Sequence, residues 1–184
     1  MLHNKKVKSA QYYPSTFGEV TIFRNYKKGE VILKKGYVEN FVSYVHKGMV
    51  GMFLEKEGED ICYGFAFEQN YISAYDSFLQ QSPSQMTLIA LENTILASVS
   101  YEKLQVILNS SIEGQVFGRQ IAENLFLKAQ QRIISFLTKS AEERYMEIEN
   151  QRPEVIKKIK QKYIASYLGI TPVSLSRIRN KMTP

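Results

Sequence analysis

Between Gln161 and Lys181 the chain reads QKYIASYLGITPVSLSRIRNK, and its polar residues are suited to reading hydrogen bonds rather than to acid–base or nucleophilic work. Arg177 carries a planar fork that pairs bidentately with guanine, and Asn180 an amide that can pair with adenine or, far along the helix, reach only the DNA backbone. Lys162, Thr171 and Ser176, with backbone amides at the start of the second helix, are donors of the kind that meet phosphate oxygens. At about 100° per residue, Val173, Arg177 and Asn180 share one side of a helix, with Ser174 and Lys181 at its flank. Leu175, Ile178 and Met182 fall on the opposite side. One face of such a helix can pack while the other enters a major groove.

The residues just before it supply what would hold that helix in place. Ile164, Ala165 and Leu168 mark the buried stripe of a short first helix, and Ala165 is small enough for a close crossing. Gly169 follows at once, where a helix commonly ends on a residue of positive φ. Ile170 turns inward, Thr171 is a good N-cap, and Pro172 sits at the first helical position, where proline is welcome. Together these predict a helix-turn-helix. The competing reading is a plain αα-hairpin in a helical core. Charge separates the two. From Arg152 to Pro184 the chain carries eight cations against Glu154 alone, a balance of +7 in a protein of net charge +6. A near-neutral body with a basic end implies a polyanionic partner. Lys157, Lys158 and Lys160 read as either a solvated face or weak phosphate attraction.

Other chemistries lack residues. The single cysteine, Cys62, excludes an internal disulfide framework and suits a reducing compartment. One cysteine cannot hold an iron–sulfur cluster, which usually takes four. Haem would need an axial ligand from His3, His46, Cys62 or a methionine, and a lone His46 beside Lys47 and Gly48 reads more readily as a turn residue. A metal-dependent β-roll enzyme needs clustered His and carboxylate ligands, and two distant histidines do not supply them. Gly-x-Ser-x-Gly, P-loop and His-Glu-x-x-His motifs are absent, so no catalytic residues, metal or cofactor are expected. No stretch approaches the ~18 apolar residues of a membrane span. The start, MLHNKKVKSAQYYPS, lacks the apolar core of a secretory leader. A cytoplasmic protein is expected.

The body changes character along its length. Residues 1–20 are polar and weakly patterned. From Tyr26, short Val, Ile, Phe and Tyr runs are punctuated by Gly29, Gly36, Gly48, Gly51, Gly58 and Gly64, which predicts strands and turns forming a sandwich or roll. Glu55–Asp60 reads as a hairpin tip. Gln69–Gln85 is irregular, with a turn at Ser82–Ser84. Met86–Ser100 reads as two strands about Glu92 and Asn93. From Ser111 the period becomes helical: Phe117, Ile121, Leu125, Ala129, Ile133 and Phe136 recur at steps of three and four. So long a stripe must be buried, against its own roll, against a second subunit, or both. Ser140 with Glu143 predicts a capping box, and Pro153 stops the helix that follows. A hinge is expected near Leu137–Ser140. The division expected is a roll over 1–110, a dimerisation helix over 111–138 and a DNA-reading domain over 139–184.

This order, with the motif IASYLGITPVSLSRIR at Ile164–Arg179, YKKGEVILKKG near the start and SAEERY at Ser140–Tyr145, resembles the Crp/Fnr family of bacterial transcription regulators. The resemblance implies an α+β fold: an antiparallel double-stranded β-roll like a cyclic-nucleotide-binding domain, a long dimerisation helix and a C-terminal helix-turn-helix. It implies a homodimer on a palindromic duplex DNA site, with half-sites about one helical turn (~34 Å) apart, and RNA polymerase as a further partner. The dimer residues would be Phe117, Ile121, Leu125, Ala129, Ile133 and Phe136. Arg177 matches the family's main base-reading arginine. Pro172 and Val173 stand where several members carry Arg and Glu, so the family's usual target sequence does not carry over.

The effector segment departs further. Cyclic-nucleotide binders of the family use a Gly-Glu pair and an arginine about ten residues later. The matching residues here are Tyr71, Ile72, Ser73, Ala74, Ser84 and Gln85, with no Gly-Glu pair and no arginine. No Lys or Arg occurs from Glu57 to Glu102. A buried phosphate without a cation partner is expensive, so cyclic AMP bound in the usual mode is not expected. Tyr63, Phe65, Phe67, Tyr71, Tyr75 and Phe78 read either as a packed core or as the lining of an apolar pocket. The function expected is a sequence-specific regulator of unidentified effector. The alternative is a roll that binds a protein or an apolar ligand and carries an accessory DNA-binding tail.

Overall fold

A computed structural model describes residues 20–182. His3, most of the weakly patterned 1–20 segment and the Met182 side chain lie outside the described part. The first half is a β-roll of two four-stranded antiparallel sheets. One sheet has the order β1 (Ile22–Tyr26), β8 (Thr94–Ser100), β3 (Phe41–Lys47), β6 (Tyr71–Ile72). The other has the order β2 (Val31–Leu33), β7 (Met86–Ala90), β4 (Met49–Lys56), β5 (Glu59–Phe67). Alternation along the strands sends Val45 and Leu96 from the first sheet, and Val50, Ala66 and Leu88 from the second, into one buried layer. The hairpin tip turns on Glu57 and Gly58, both at positive φ. Gly48 joins β3 to β4 at φ 93°, and a Cβ there would lie 2.6 Å from the Asn93 carbonyl. Between Gln69 and Gln85, where the sequence shows no period, lie the two-residue β6 and the single-turn helix α1 (Tyr75–Gln80). Neither is long enough to establish a repeat.

Two helices cover the first sheet. The Ser100 hydroxyl caps α2 (Tyr101–Ser110), and the Ser111 hydroxyl caps the long α3 (Ile112–Thr138) by accepting from the Gly114 amide at 3.0 Å. Gly114 sits where α3 crosses α2, and a Cβ would fall 2.2 Å from the Ile107 carbonyl oxygen. Phe117 and Ile121 then bury themselves with Val42, Phe78, Val99, Leu104 and Ile107.

The expected capping box opens α4 (Ala141–Gln151). The Glu143 carboxylate accepts from the Ser140 amide at 2.7 Å, and the Ser140 hydroxyl accepts from the Glu143 amide at 3.2 Å. These bonds hold the Glu143 carboxyl below its usual range. Pro153 does more than stop α4, because it begins a further short helix, α5 (Pro153–Lys158). Then come α6 (Gln161–Leu168) and α7 (Pro172–Met182).

The sequence suggests a hinged head, but in the structure the head shares a core with the roll. Ile164, Ala165, Leu168 and Leu175 are buried together with Met49 of β4 and pack on Phe65, Phe67 and Leu91. Full burial of Ile164, Leu168 and Leu175 contributes roughly 1.5–3 kcal/mol each.

Candidate nucleic-acid interface

The turn between α6 and α7 is built as its residues require. Gly169 closes α6 at φ 71°, and the Ile170 amide donates to the Ala165 carbonyl at 3.0 Å. The Thr171 hydroxyl accepts from the Ser174 amide at 3.2 Å and lies 3.0 Å from the Ser174 hydroxyl. Thr171 and Ser174 are thus engaged in capping α7. Leu175 is fully buried and Ile178 half-buried. Val173, Ser176, Arg177, Asn180 and Lys181 are exposed, so the face assigned to base and phosphate reading is open to solvent. Lys162 is exposed at the start of α6, its ammonium 5.0 Å from the Tyr163 ring. Other cations of the basic end are engaged within the chain. Arg179 is half-buried and acts electrostatically on Tyr145, while Lys158 pairs with Glu92 of the roll at 3.0 Å.

In the roll, the residues matching the effector segment are packed. Ile72, Ser73, Ala74 and Ser84 are buried, Tyr71 is half-buried and Gln85 exposed. The Ser73 hydroxyl donates to the Phe41 carbonyl at 3.0 Å and the Ser84 hydroxyl to the Met86 carbonyl at 3.1 Å. Tyr71 packs edge-on against Tyr44 and Phe117, and burial pushes its phenol up to about 12. The space beside Tyr44, Tyr71 and Phe117 amounts to about 10 Å³, no more than a single water requires. The aromatic run pairs off in the same manner: Tyr75 stacks on Phe78, Phe78 meets Tyr101, and Phe65 meets Tyr167.

Sequence reasoning missed two charged residues of the roll, the half-buried Arg24 and the buried Glu39. Arg24 of β1 donates to the Ser98 hydroxyl at 3.0 Å and the Ser43 hydroxyl at 3.2 Å, and its guanidinium lies 4.0 Å from the Phe41 ring centre. Glu39, 5% exposed, accepts from the Phe41 amide and feels the Arg24 charge. Burial outweighs these contacts and raises its carboxyl. The stretch from Glu57 to Glu102 holds no cation, and this one comes from the first strand. Only sheet pairing could have found it. His46 is exposed against Phe23, and among the described residues no three His, Cys, Asp or Glu side chains gather as a metal site.

The six residues expected to form a dimer seam divide between the chain's own packing and solvent. Phe117 and Ile121 are buried in their own chain, and Leu125 packs against the same cluster. Ala129 is half-buried. The Phe136 ring meets Arg132 and Arg144 and sits where a Gly169 Cβ would project. Of the six residues, Ile133 and Phe136 stay exposed, Phe136 beside the two guanidiniums. The exposed large apolar residues of α3 are Ile112, Val116, Phe126, Leu127, Ile133, Ile134, Phe136 and Leu137. Positions 112, 116, 119, 123, 126, 130, 133 and 137 follow alternate steps of four and three, a heptad seam. Arg119 and Glu123, a 3.9 Å ion pair, and Gln130 interrupt its apolar character.

Comparison with known proteins bears on these features. Residues 23–111 match the family model of the cyclic nucleotide-binding domain. Curated protein sequences yield no match. Among solved structures, the c-di-GMP responsive global regulator CLP of Xanthomonas campestris is similar at 17% identity and TM-score 0.68, over 90% of this chain and 88% of that one. FixK2 from Bradyrhizobium japonicum is similar at 19% identity and TM-score 0.71, over 89% of this chain and 84% of that one. A Crp/Fnr-family transcriptional regulator from Eubacterium rectale is similar at 18% identity and TM-score 0.71, over 90% and 80%. At these identities the likeness is one of fold.

Proposed function

We infer, from the match of residues 23–111 to the cyclic nucleotide-binding domain and the likeness of the fold to Crp/Fnr transcription regulators, that this protein is a homodimeric, sequence-specific DNA-binding regulator of that type. The observation that carries the reading is the exposed polar face of α7. Arg177 and Asn180 stand there on a helix whose opposite side is locked by Leu175, at the end of the chain that holds its net charge.

In this reading the roll over 1–110 is a sensor-like body, α3 pairs two copies along its exposed seam, and the residues from 139 onward form the reading head. The partner copy would cover Val116, Phe126, Ile133 and Leu137, whose exposure is otherwise unexplained. Two reading helices would then meet successive major grooves. Cyclic AMP is not the effector in the family's usual mode. The reasons are the buried, internally bonded Ser73 and Ser84, the filled space at Tyr71, and the lack of a Gly-Glu pair and its arginine. The role is regulatory rather than catalytic, the setting is the cytoplasm, and RNA polymerase is a further partner. Among the described residues no helix is long and apolar enough to cross a membrane.

The test is selection of bound sequences from a random duplex pool at about 150 mM salt, with and without cyclic AMP. A palindromic consensus indifferent to cyclic AMP is expected. A salt-sensitive affinity with no sequence enrichment overturns the reading and leaves a DNA-binding tail that does not read bases.

A further inference from the structure

In a helix-turn-helix the first residues of the second helix are the ones that meet base edges. In α7 most of that first turn is already committed. Pro172 has no backbone N–H to offer. The Ser174 hydroxyl lies 3.0 Å from the Thr171 hydroxyl, and the Ser174 amide donates to the same oxygen at 3.2 Å. Leu175 is fully buried. What the turn leaves for the groove is Val173, which is 62% exposed. Among the described residues of 161–181 it is the large apolar side chain that stays exposed, the tyrosines and the other aliphatics being buried or half-buried.

Neither packing nor helix propensity accounts for a valine there. It is left out of the core that Leu175 and Ile178 join. β-Branched residues are weaker helix formers than Ala, Lys or Glu. Its place on the helix does account for it. Four residues separate Val173 from Arg177, so the two lie about 40° apart round the axis and about 6 Å apart along it. Successive base pairs are about 3.4 Å apart. Side chains so spaced address base pairs about one or two steps apart. Pro172 is exposed as well, but it stands about 140° round the helix from Arg177.

An aliphatic group makes no hydrogen bond. It cannot hold a phosphate, and it would strip water from the polar edge of guanine, adenine or cytosine without replacing it. The major-groove feature it fits is the C5-methyl group of thymine. Valine is also stiff. In a helix it keeps mostly one χ1 well, so its methyls are presented with little side-chain entropy left to lose. We propose that Val173 reads a thymine C5-methyl group in the major groove, about one or two base pairs from the guanine that Arg177 meets. This assignment rests on the DNA-reading role of α7, and adds to it the base feature recognised by the first turn of the helix. The half-site is then read in two ways, by hydrogen bonds at Arg177 and by apolar contact at Val173.

The test starts from the duplex that the full chain selects. Each thymine of the half-site is replaced in turn by deoxyuridine, which removes only the methyl, and binding is followed by fluorescence anisotropy at about 150 mM salt. One thymine within about two base pairs of the Arg177-dependent guanine should respond, with affinity falling about fourfold per half-site for the lost methyl. Val173→Ala should bind the thymine site more weakly and lose that penalty, while Val173→Ile keeps it, with melting curves to confirm that both variants fold. A guanine that depends on Arg177, with no thymine methyl that depends on Val173, overturns the assignment and leaves the reading head standing. A deoxyuridine penalty equal in wild type and Val173→Ala also overturns it, since the methyl then acts through DNA shape or another side chain. A selection that enriches no sequence overturns it together with the reading it rests on.

Discussion

The Cys62 backbone amide, in β5 of the roll, donates to the Ser166 hydroxyl in α6 of the reading head at 2.8 Å. Through this bond, and the packing of Phe53 on Tyr163 and Phe65 on Tyr167, the first helix of the helix-turn-helix lies directly on the sheet. The Cys62 thiol is 1% exposed, and burial pushes it up to about 12 from 9.0. It should resist iodoacetamide at pH 8 in the native protein and label once the chain unfolds. Ser166→Ala removes the acceptor of a part-buried amide and should cost about 1–3 kcal/mol, read by chemical denaturation. The thiol's raised value also has a pH consequence. Its contribution is complete below 9.0 and declines as pH rises towards about 12, because the unfolded thiol ionises first. Stability that does not fall across that window in wild type relative to Cys62→Ala would contradict the burial account.

Two substitutions on α3 should separate its two faces. Phe117→Ala empties a site packed by Val42, Phe78 and Leu104 and should cost about 3–5 kcal/mol of fold stability. Leu137→Glu alters a side chain that is 80% exposed and should leave the monomer's melting nearly unchanged while shifting the molecular mass in light scattering from dimer to monomer. If Leu137→Glu leaves the mass unchanged, the seam is not the dimer contact.

Much of this was legible in the sequence. The helix-turn-helix was readable because Ala165, Gly169, Thr171 and Pro172 each answer a local rule, and local rules do not need the rest of the fold. The phase of α3 was not. Phe117, Ile121 and Leu125 at steps of four satisfy a helical period as well as Val116, Phe126 and Ile133 do, and the period alone does not say which face meets the roll. The docking of α6 on β5 was also hidden, since it joins residues far apart in the chain.

The Arg24–Glu39 neighbourhood was invisible for the same reason, and it makes a pH prediction. Burial raises the Glu39 carboxyl above 4.5, so the native state favours its protonated form. That contribution is complete below 4.5 and is lost as pH rises through the higher native value. Glu39→Gln keeps an oxygen for the Phe41 amide and removes the charge. Its stability relative to wild type should therefore improve between pH 4 and pH 8 in denaturant titrations. A constant difference would show that Glu39 is no harder to ionise in the fold than in the unfolded chain.

Gly169 answers two demands at once. Its φ of 71° suits glycine, and a Cβ there would lie 2.7 Å from the Phe136 ring. Gly169→Ala should cost at least the roughly 1–2 kcal/mol of a left-handed residue with a side chain. Added to Phe136→Ala it should cost less than in wild type, because the steric part disappears. Equal costs in both backgrounds would leave only the backbone term.

Two arginines of α7, two residues apart, should behave in opposite ways. Arg177 is exposed on the outer face, while Arg179 is half-buried and acts on Tyr145 of α4. Arg177→Ala should leave folding stability within about 0.5 kcal/mol of wild type, as an exposed substitution does. It should cost about 1–3 kcal/mol on the selected DNA site and relax preference at one base pair. Arg179→Ala should instead lower the melting temperature while leaving the preferred sequence unchanged. An equal loss of affinity on selected and random duplexes for Arg177→Ala would reduce that residue to a phosphate contact and move base reading to Asn180 and its neighbours on the same face.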